Sequence, residues 1–205
     1  MHSLINKIQS NIKSNIFLDY DMRKSTWFRA GGTALGYVIV NSISDLKTVI
    51  SYSDQIKYYI VGAGSNLMVR DRGFNGLIIK LGKTFNNIKI NKDTLSVGAA
   101  VLDINLAKFA LKNSIKDFEF FSGIPGTIGG AIKMNAGCYG GQTADNLKRI
   151  LVINKLGKIK YLTKDELALN YRSSKLTDEL IVLKADFSCN YSSASEIIEK
   201  KIILN

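Results

Sequence analysis

The chain has 205 residues and a formal net charge of +11, and 46% of its residues are hydrophobic and 22% charged, as in ordinary globular proteins. The only histidine, His2, follows the start methionine and argues against a Ser-His-Asp triad, the two cysteines, Cys138 and Cys189, exclude a four-cysteine zinc site, and we expect no bound metal. The sequence has no long unbroken apolar run and no apolar leader segment, so we expect a cytoplasmic protein without membrane insertion.

The first part of the chain alternates between helical and strand patterns. Apolar residues recur at helical spacing near the N-terminus, which predicts an amphipathic helix within residues 1–18. Ser44 and Asp45 are candidate caps for a second helix, which joins two strands into a β-α-β unit. We expect residues 19–82 to form a first subdomain around this unit. Its predicted strands are at 37–40, 58–61 and 77–81.

The second half of the chain is richer in strands. We predict a mixed sheet in a second subdomain over residues 83–190, so the fold class is α+β. Asp103 is a candidate cap for a helix through Leu111, and Thr163 opens a short helix in which Glu166 lies at capping-box spacing. The predicted strands are at 87–90, 94–97, 149–154, 158–162 and 180–187.

Glycine is concentrated in one stretch of the chain. Seven of the 17 glycines lie between Gly123 and Gly141, together with the only proline, Pro125. Because glycine adopts positive φ and lets backbone N–H groups approach a ligand closely, such a stretch is typical of a phosphate-binding loop. The alternative is a set of tight turns packed between a sheet and a helix.

A second glycine cluster follows directly after a predicted strand. Residues 62–66 read Gly-Ala-Gly-Ser-Asn, and the third glycine position of a Rossmann dinucleotide loop is occupied by Leu67. That fingerprint is therefore absent. The cluster is either a different phosphate loop, with Ser65 and Asn66 as side-chain donors, or a plain turn.

Arg172 is one of only six arginines, and it follows a polar turn and Tyr171. A guanidinium binds a carboxylate through two hydrogen bonds and stabilises a developing enolate. The alternative is an arginine in a surface loop without a functional role, and this interpretation is favoured when Arg172 is considered alone.

Five segments taken together, in this order, resemble one family, the UDP-N-acetylenolpyruvoylglucosamine reductases (UDP-N-acetylmuramate dehydrogenases). The resemblance covers roughly residues 20–190. The segments are STWFRAGG at 25–32, GAGSNL at 62–67, GIPGTIGG at 123–130, MNAG at 134–137 and YRSS at 171–174.

The resemblance implies a two-subdomain FAD-binding domain of the vanillyl-alcohol-oxidase (PCMH) type. It implies non-covalent FAD, NADPH as hydride donor, and reduction of UDP-N-acetylglucosamine enolpyruvate to UDP-N-acetylmuramate for peptidoglycan. By position, Arg172 is the implied catalytic residue, and Tyr171 and Arg172 are the implied substrate-binding residues. The implied FAD-binding residues are Gly62, Ala63, Gly64, Ser65, Asn66, Gly123, Ile124, Pro125, Gly126, Thr127, Gly129, Gly130, Asn135, Ala136 and Gly137.

The family's proton-donor serine and its assisting glutamate lie in a C-terminal substrate domain. We expect this chain to end before both groups, with residues 191–205, helical in pattern over 193–204, as the start of that domain. Reductase activity then depends on a separate C-terminal domain chain, or is lost.

Two other functions stay open. One is an inactive FAD-binding module or a fragment of a split reductase, and the other is a basic nucleic-acid-binding protein. Of the 28 basic residues, however, 22 are lysines scattered along the chain, and no nucleic-acid-binding motif is recognisable. We therefore expect a UDP-sugar substrate and no nucleic-acid partner.

Overall fold

A computed structural model describes residues 1–193 and 195–199 of the chain. Helices and strands are interspersed along it, as the α+β class predicts. The contacts divide the chain into two compact units, and neither unit is continuous in sequence. Unit 1 comprises Met1–Phe85, Ile153–Ile159 and Asp178–Ile181, and unit 2 comprises Asn86–Val152, Lys160–Thr177 and the described residues from Val182 onward.

Unit 1 is built on a four-stranded sheet. Its helices and strands are α1 (His2–Gln9), β1 (Ile16–Asp21), β2 (Thr33–Val40), α2 (Ile43–Ile50), β3 (Tyr58–Val61) and β4 (Phe74–Leu81). The strand order is β1-β2-β4-β3, in which β4 is parallel to both of its neighbours and β1 is antiparallel to β2. The predicted β-α-β unit is present as β2-α2-β3, with β4 inserted between its two strands.

An apolar cluster anchors the segment that follows β3. Tyr37, Val61 and Ile78 are buried members of the cluster, and Leu67 packs against it. Val61 ends β3 and Leu67 lies six residues later, so the loop at 62–66 is fixed at both ends by burial of apolar side chains.

The N-terminal helix is shorter than the sequence pattern predicts. α1 ends at Gln9, and Ile16 already begins β1. Ser10 Oγ and Asn11 Nδ2 donate to the Lys7 carbonyl over 2.8 and 2.7 Å. Such local side-chain bonds to the backbone compete with continuation of the helix.

Unit 2 is built on a five-stranded sheet with the strand order β11-β10-β12-β6-β5. The helices and strands are β5 (Ile88–Asn91), β6 (Thr94–Gly98), α3 (Asp103–Lys112), β7 (Ile115–Lys116), α4 (Ile128–Lys133), β8 (Gly137–Cys138), β9 (Gly141–Gln142), α5 (Thr143–Asn146), β10 (Leu147–Asn154), β11 (Ile159–Thr163), α6 (Lys164–Leu167), β12 (Leu180–Ser188) and β13 (Asn190–Tyr191). The end residues 153–154 of β10, 159 of β11 and 180–181 of β12 are counted with unit 1. β5 and β6 form the predicted hairpin, and β6 is antiparallel to β12. Two short antiparallel pairs, β13 with β7 and β8 with β9, complete the unit.

Two helix starts test the predicted caps. Thr163 caps α6, and its hydroxyl and the Glu166 carboxylate form the predicted capping box. α2 begins earlier than predicted, because Ser42 is its N-cap and accepts a hydrogen bond from the Asp45 N–H over 2.9 Å.

The predicted C-terminal helix is described only in part. Residues 195–199 are helical, whereas residues 194 and 200–205 of the predicted span lie outside the described residues. Among the helices that the structure describes, the longest, α3, has 10 residues, and none has the length and apolar character that a membrane crossing requires.

Candidate functional site

The loop at 62–66 of unit 1 packs against the segment that carries Ser25 and Trp27. Gly64 has a positive φ of 73°, and a Cβ at this position would lie 2.0 Å from the Ser25 carbonyl oxygen. The Trp27 N–H donates to the Gly64 carbonyl over 3.1 Å. No side chain fits at position 64 unless the backbone moves, so this conformation of the loop requires glycine.

The same loop presents unused hydrogen-bond donors. The N–H groups of Ala63, Gly64 and Ser65 donate no hydrogen bond within the described part of the chain. Ser65 is half-buried and Asn66 is exposed. Because free N–H groups in a compact loop carry partial positive charge, the arrangement suits an anion such as a pyrophosphate. It favours the phosphate-loop interpretation of this cluster over a plain turn.

The glycine-rich loop of unit 2 is held against the residues that precede α3. Leu102 and Thr127 form an isolated β-bridge, and the Asp103 N–H donates to the Gly126 carbonyl over 3.1 Å. The N–H groups of Gly126 and Thr127 themselves donate no hydrogen bond to any described residue. Pro125, which has no N–H, restricts the backbone just before these two free donors.

The glycines of this loop differ in the space around them. A Cβ at Gly129 would lie 3.2 Å from Ala99 Cβ, whereas the nearest atom to a Cβ at Gly130 is Thr127 Oγ1 at 3.7 Å, an ordinary contact. Position 130 therefore borders open space within unit 2, where a ligand could approach the backbone. Gly123, Pro125 and Gly130 are exposed, Ile124, Gly126 and Gly129 are half-buried, and Thr127 is buried.

Asp103 lies against this loop with a fully buried carboxyl group. Its exposure is 0%, and neither Oδ1 nor Oδ2 has a hydrogen-bond partner in the described part of the chain. Desolvation raises the pKa of Asp103 to about 8, so the carboxyl is mostly protonated and uncharged near neutral pH. The prediction that Asp103 caps α3 is wrong, because Leu102 is the N-cap residue and the carboxyl bonds to no helix N–H. No sequence signal distinguishes this buried acid from a helix cap.

Asn135, the first residue of the predicted segment 135–137, uses its side chain within the chain. It is buried, and its φ is 40°. Its Nδ2 donates to Gln142 Oε1 over 2.9 Å and to the Asn170 carbonyl over 3.0 Å, while Oδ1 accepts from the Ala144 N–H over 3.0 Å. Both hydrogens of the Asn135 amide are therefore occupied within the protein, so this side chain has no N–H left to donate to a cofactor.

Arg172 lies at the tip of a tight turn. Asn170 and Ser173 form an antiparallel bridge, with N–H to carbonyl distances of 3.0 and 3.2 Å, so Tyr171 and Arg172 are the two central residues. Tyr171 is 89% exposed, and Arg172 has a positive φ of 52°, a conformation that costs a non-glycine residue about 1 kcal/mol or more. The guanidinium is exposed and has no carboxylate partner among the described residues. Such a group is available to bind an anionic ligand.

The sequence-predicted residues of unit 2 lie in two segments that hydrogen bonds connect. Loop 123–130 leads through α4 into 134–137, and Asn135 bonds to the turn that carries Arg172. Within the described ranges, no three His, Cys, Asp or Glu side chains come together as a metal-ion site.

Comparisons with known proteins give a consistent result. Residues 34–163 match the family model described as FAD binding domain. The UDP-N-acetylenolpyruvoylglucosamine reductase of Pelagibacter ubique is 41% identical over 195 residues, which is 94% of this chain and 65% of that relative. The reductase of the same name from Rickettsia typhi is 40% identical over 195 residues. The match covers 95% of this chain and 66% of the Rickettsia typhi protein. The family resemblance predicted from the five segments is confirmed by these relatives.

Solved structures agree on the fold. The UDP-N-acetylenolpyruvylglucosamine reductase of Thermus caldophilus matches with a TM-score of 0.82 and 28% identity, over 94% of this chain and 68% of that structure. A berberine bridge enzyme variant matches with a TM-score of 0.70 and 14% identity, over 94% of this chain and 44% of the enzyme's chain. At this identity the match shows the fold alone. The predicted FAD-binding fold of the vanillyl-alcohol-oxidase type is confirmed.

Proposed function

The chain belongs to the FAD-binding domain family, and from this premise we propose that it is the FAD-binding part of a UDP-N-acetylenolpyruvoylglucosamine reductase. The proposed reaction reduces UDP-N-acetylglucosamine enolpyruvate to UDP-N-acetylmuramate, a precursor of peptidoglycan. The observation that carries the proposal is the 41% identity to the Pelagibacter ubique reductase across 94% of this chain. The chain spans 65% of that relative's length.

The two glycine loops fit FAD. The free N–H groups of Ala63, Gly64 and Ser65 would hold the pyrophosphate, with Asn66 beside them. Loop 123–130, with its free donors and the open space at Gly130, would bind the cofactor together with the backbone of 135–137. The buried acid at the base of loop 123–130 is mostly uncharged near neutral pH, so it would not repel an anionic cofactor.

Bound FAD would supply hydride chemistry, taking up a hydride equivalent from NADPH and passing it to the enolpyruvyl group. In that chemistry, the residues of this chain would bind the cofactor and the substrate and would polarise the enolpyruvyl group. The exposed guanidinium of Arg172, which has no carboxylate partner among the described residues, would bind the carboxylate of the enolpyruvyl group and stabilise the negative charge that develops as the double bond is reduced. Tyr171, beside it at the tip of the turn, would contact the same substrate.

The enol carbon must also receive a proton, and Ser174, two residues from Arg172, is poorly suited to donate it. Ser174 Oγ already donates to the Lys133 carbonyl over 2.8 Å, so its proton is committed within the chain. We assign the proton donor to a serine of a C-terminal substrate domain, carried on the same polypeptide or by a separate chain. Full turnover in the proposal needs that domain.

Reconstitution with FAD tests the proposal. After incubation with FAD and removal of free cofactor, the chain should retain flavin absorbance at about one FAD per chain. A chain that is folded by circular dichroism and retains no flavin would overturn the assignment.

NADPH oxidation then separates the reductase from an inactive FAD-binding module, the second candidate. That candidate is consistent with the family model that residues 34–163 match, whose description names FAD binding alone. NADPH loss that depends on UDP-N-acetylglucosamine enolpyruvate supports the reductase. Flavin binding without such turnover, even with the C-terminal part of that relative added, supports the module.

A further inference from the structure

We propose that Asn135 is a positioning residue for Arg172, because its side chain joins the end of the glycine-rich segment to the turn that carries the arginine. The inference rests on the proposed function for the role of Arg172. It assigns Asn135 a task within the protein rather than a contact with FAD.

The orientation of the Asn135 amide is fixed by its backbone partners. The Ala144 N–H can only donate, so the atom 3.0 Å from it must be Oδ1. The Asn170 carbonyl can only accept, so the atom 3.0 Å from it must be Nδ2. The second hydrogen of Nδ2 is used by Gln142 Oε1 at 2.9 Å.

The side chain of Asn135 reaches this position because of its backbone conformation and burial. Its φ of 40° lies in the left-handed region, where asparagine is among the few residues besides glycine that are tolerated. Its exposure is 3%, so its hydrogen bonds are shielded from water, and a lost bond is not readily replaced.

The bond to Asn170 reaches the base of the turn that carries Arg172. The carbonyl that accepts from Asn135 also accepts the Ser173 N–H over 3.2 Å, and that bond closes the turn. Arg172 lies between these two residues with a positive φ of 52°, a conformation that relaxes unless its surroundings hold it. The Asn135 bond is one of the constraints that hold it.

Two further hydrogen bonds tie the same segments together. Ser174 Oγ donates to the Lys133 carbonyl, and Lys133 Nζ donates to the Leu176 carbonyl. The end of α4 and the 170–176 segment therefore behave as one hydrogen-bonded body within unit 2. A shift of the glycine-rich segment would move the guanidinium with it.

The variant Asn135→Asp isolates the bond to the turn. Aspartate keeps the shape and tolerates the positive φ, and its oxygen can still accept from the Ala144 N–H. Gln142 would have to rotate its amide to donate to the new carboxylate, at the cost of the bond that its side chain accepts from the Asp145 N–H in the capping box of α5, whereas the Asn170 carbonyl has no way to donate. The matched control is Asn146→Asp, because Asn146 is also buried and its Nδ2 donates to the Asp117 carbonyl over 2.8 Å, away from the arginine turn.

Hydrogen-exchange mass spectrometry gives the first readout, one that does not depend on catalysis. We expect Asn135→Asp to speed exchange in the 168–177 peptide about tenfold, the loss of roughly one hydrogen bond, while flavin retention stays unchanged. Asn146→Asp should leave that peptide as in the wild type. If aspartate prevents folding, Asn135→Gly keeps the positive φ without adding a charge, and the same increase in exchange is expected.

Substrate titration of the FAD-loaded chain gives the second readout. The change in flavin absorbance on adding UDP-N-acetylglucosamine enolpyruvate reports binding near the flavin, and Asn135→Asp should weaken the apparent Kd about tenfold. Unchanged exchange in the 168–177 peptide, or an equal increase in Asn146→Asp, would overturn the positioning role. Failure of the wild-type chain to bind FAD would instead count against the proposed function, since the exchange result is obtained without the cofactor.

Discussion

The Oδ2 atom of Asp103 lies 2.5 Å from the point that a Cβ on Gly126 would occupy. The backbones of the same two residues are hydrogen-bonded over 3.1 Å. The glycine and the buried acid are therefore packed against each other, and a larger residue at position 126 would displace either the loop or the carboxyl. The base of loop 123–130 thus contains an acid group that has no hydrogen-bond partner among the described residues.

Asp103 should make stability depend on pH. Its pKa is raised to about 8 in the folded chain, against 3.8 as the reference value for an unfolded chain. Between these values the folded state retains a proton that the unfolded state releases, so the free energy of unfolding falls as pH rises from about 4 to about 8. The steepest slope from this group is about 1.4 kcal/mol per pH unit. Urea unfolding at several pH values measures it.

The variant Asp103→Asn provides the comparison, because every other titrating group is shared with the wild type. We expect the variant to gain stability relative to the wild type as pH rises from 5 to 8, since asparagine has no proton to release. Unfolding curves that stay the same distance apart at every pH would contradict a buried, protonated Asp103.

Gly64→Ala should abolish FAD binding through unit 1. The new methyl group would meet the Ser25 carbonyl at 2.0 Å and force loop 62–66 to move. Gly140→Ala is a matched control, since Gly140 also has a positive φ, 79°, but a Cβ there has no neighbour within 4 Å. Both variants have the same kind of backbone strain, about 1 kcal/mol. Flavin retention should be lost only in Gly64→Ala, and equal loss in both would mean that strain alone is responsible.

Arg172→Asn should separate cofactor binding from hydride transfer. Asparagine tolerates the positive φ of this turn position and removes the guanidinium, so the fold and the bound FAD should be retained. With the C-terminal part of the Pelagibacter ubique relative added to supply the proton donor, we expect substrate-dependent NADPH oxidation to fall about 10²-fold or more. The control is Arg23→Gln, which removes an exposed arginine that pairs with Asp21 over 2.8 Å in unit 1. Similar turnover in wild type and Arg172→Asn would remove the catalytic role.

Arg149→Met should destabilise unit 2. Arg149 Nε donates to Asp186 over 2.8 Å, and the Asp186 side chain is only 5% exposed. Removing this partner leaves a buried carboxylate with weaker compensation, so we expect the urea midpoint to fall. Lys155→Met removes one partner of an exposed pair with Glu179 and should lower the midpoint less, because an exposed ion pair contributes little to stability. The urea unfolding midpoints of the two variants show which variant is destabilised more.

The sequence predicts elements whose signals are local. The hairpin of β5 and β6 is set by two alternating runs around a two-residue loop, and the capping box of Thr163 is complete within four residues. The cap of α2 is misassigned because Ser42, Ser44 and Asp45 are all chemically suitable, and only the backbone geometry decides between them.

The rest of the site depends on contacts between distant residues. Glycine spacing locates both loops, but it does not reveal that Asp103 is buried beside Gly126, because burial follows from packing across the unit. The Asn135 amide bonds to a carbonyl 35 residues away. Asn135 is assigned to the cofactor by position, and only the structure shows that both of its side-chain donors are occupied within the protein.

The discontinuous composition of unit 1 has a consequence for synthesis of the chain. Its last segment, Asp178–Ile181, is made 96 residues after Phe85. At about 5–20 residues per second, the first 85 residues wait roughly 5–20 s on the ribosome before the unit is complete. During that interval unit 1 lacks its segment Asp178–Ile181, so we expect the nascent unit to be less stable than the finished one. A fragment that ends at Phe85 never gains the later segments of unit 1, so we expect it to stay less stable than the finished unit.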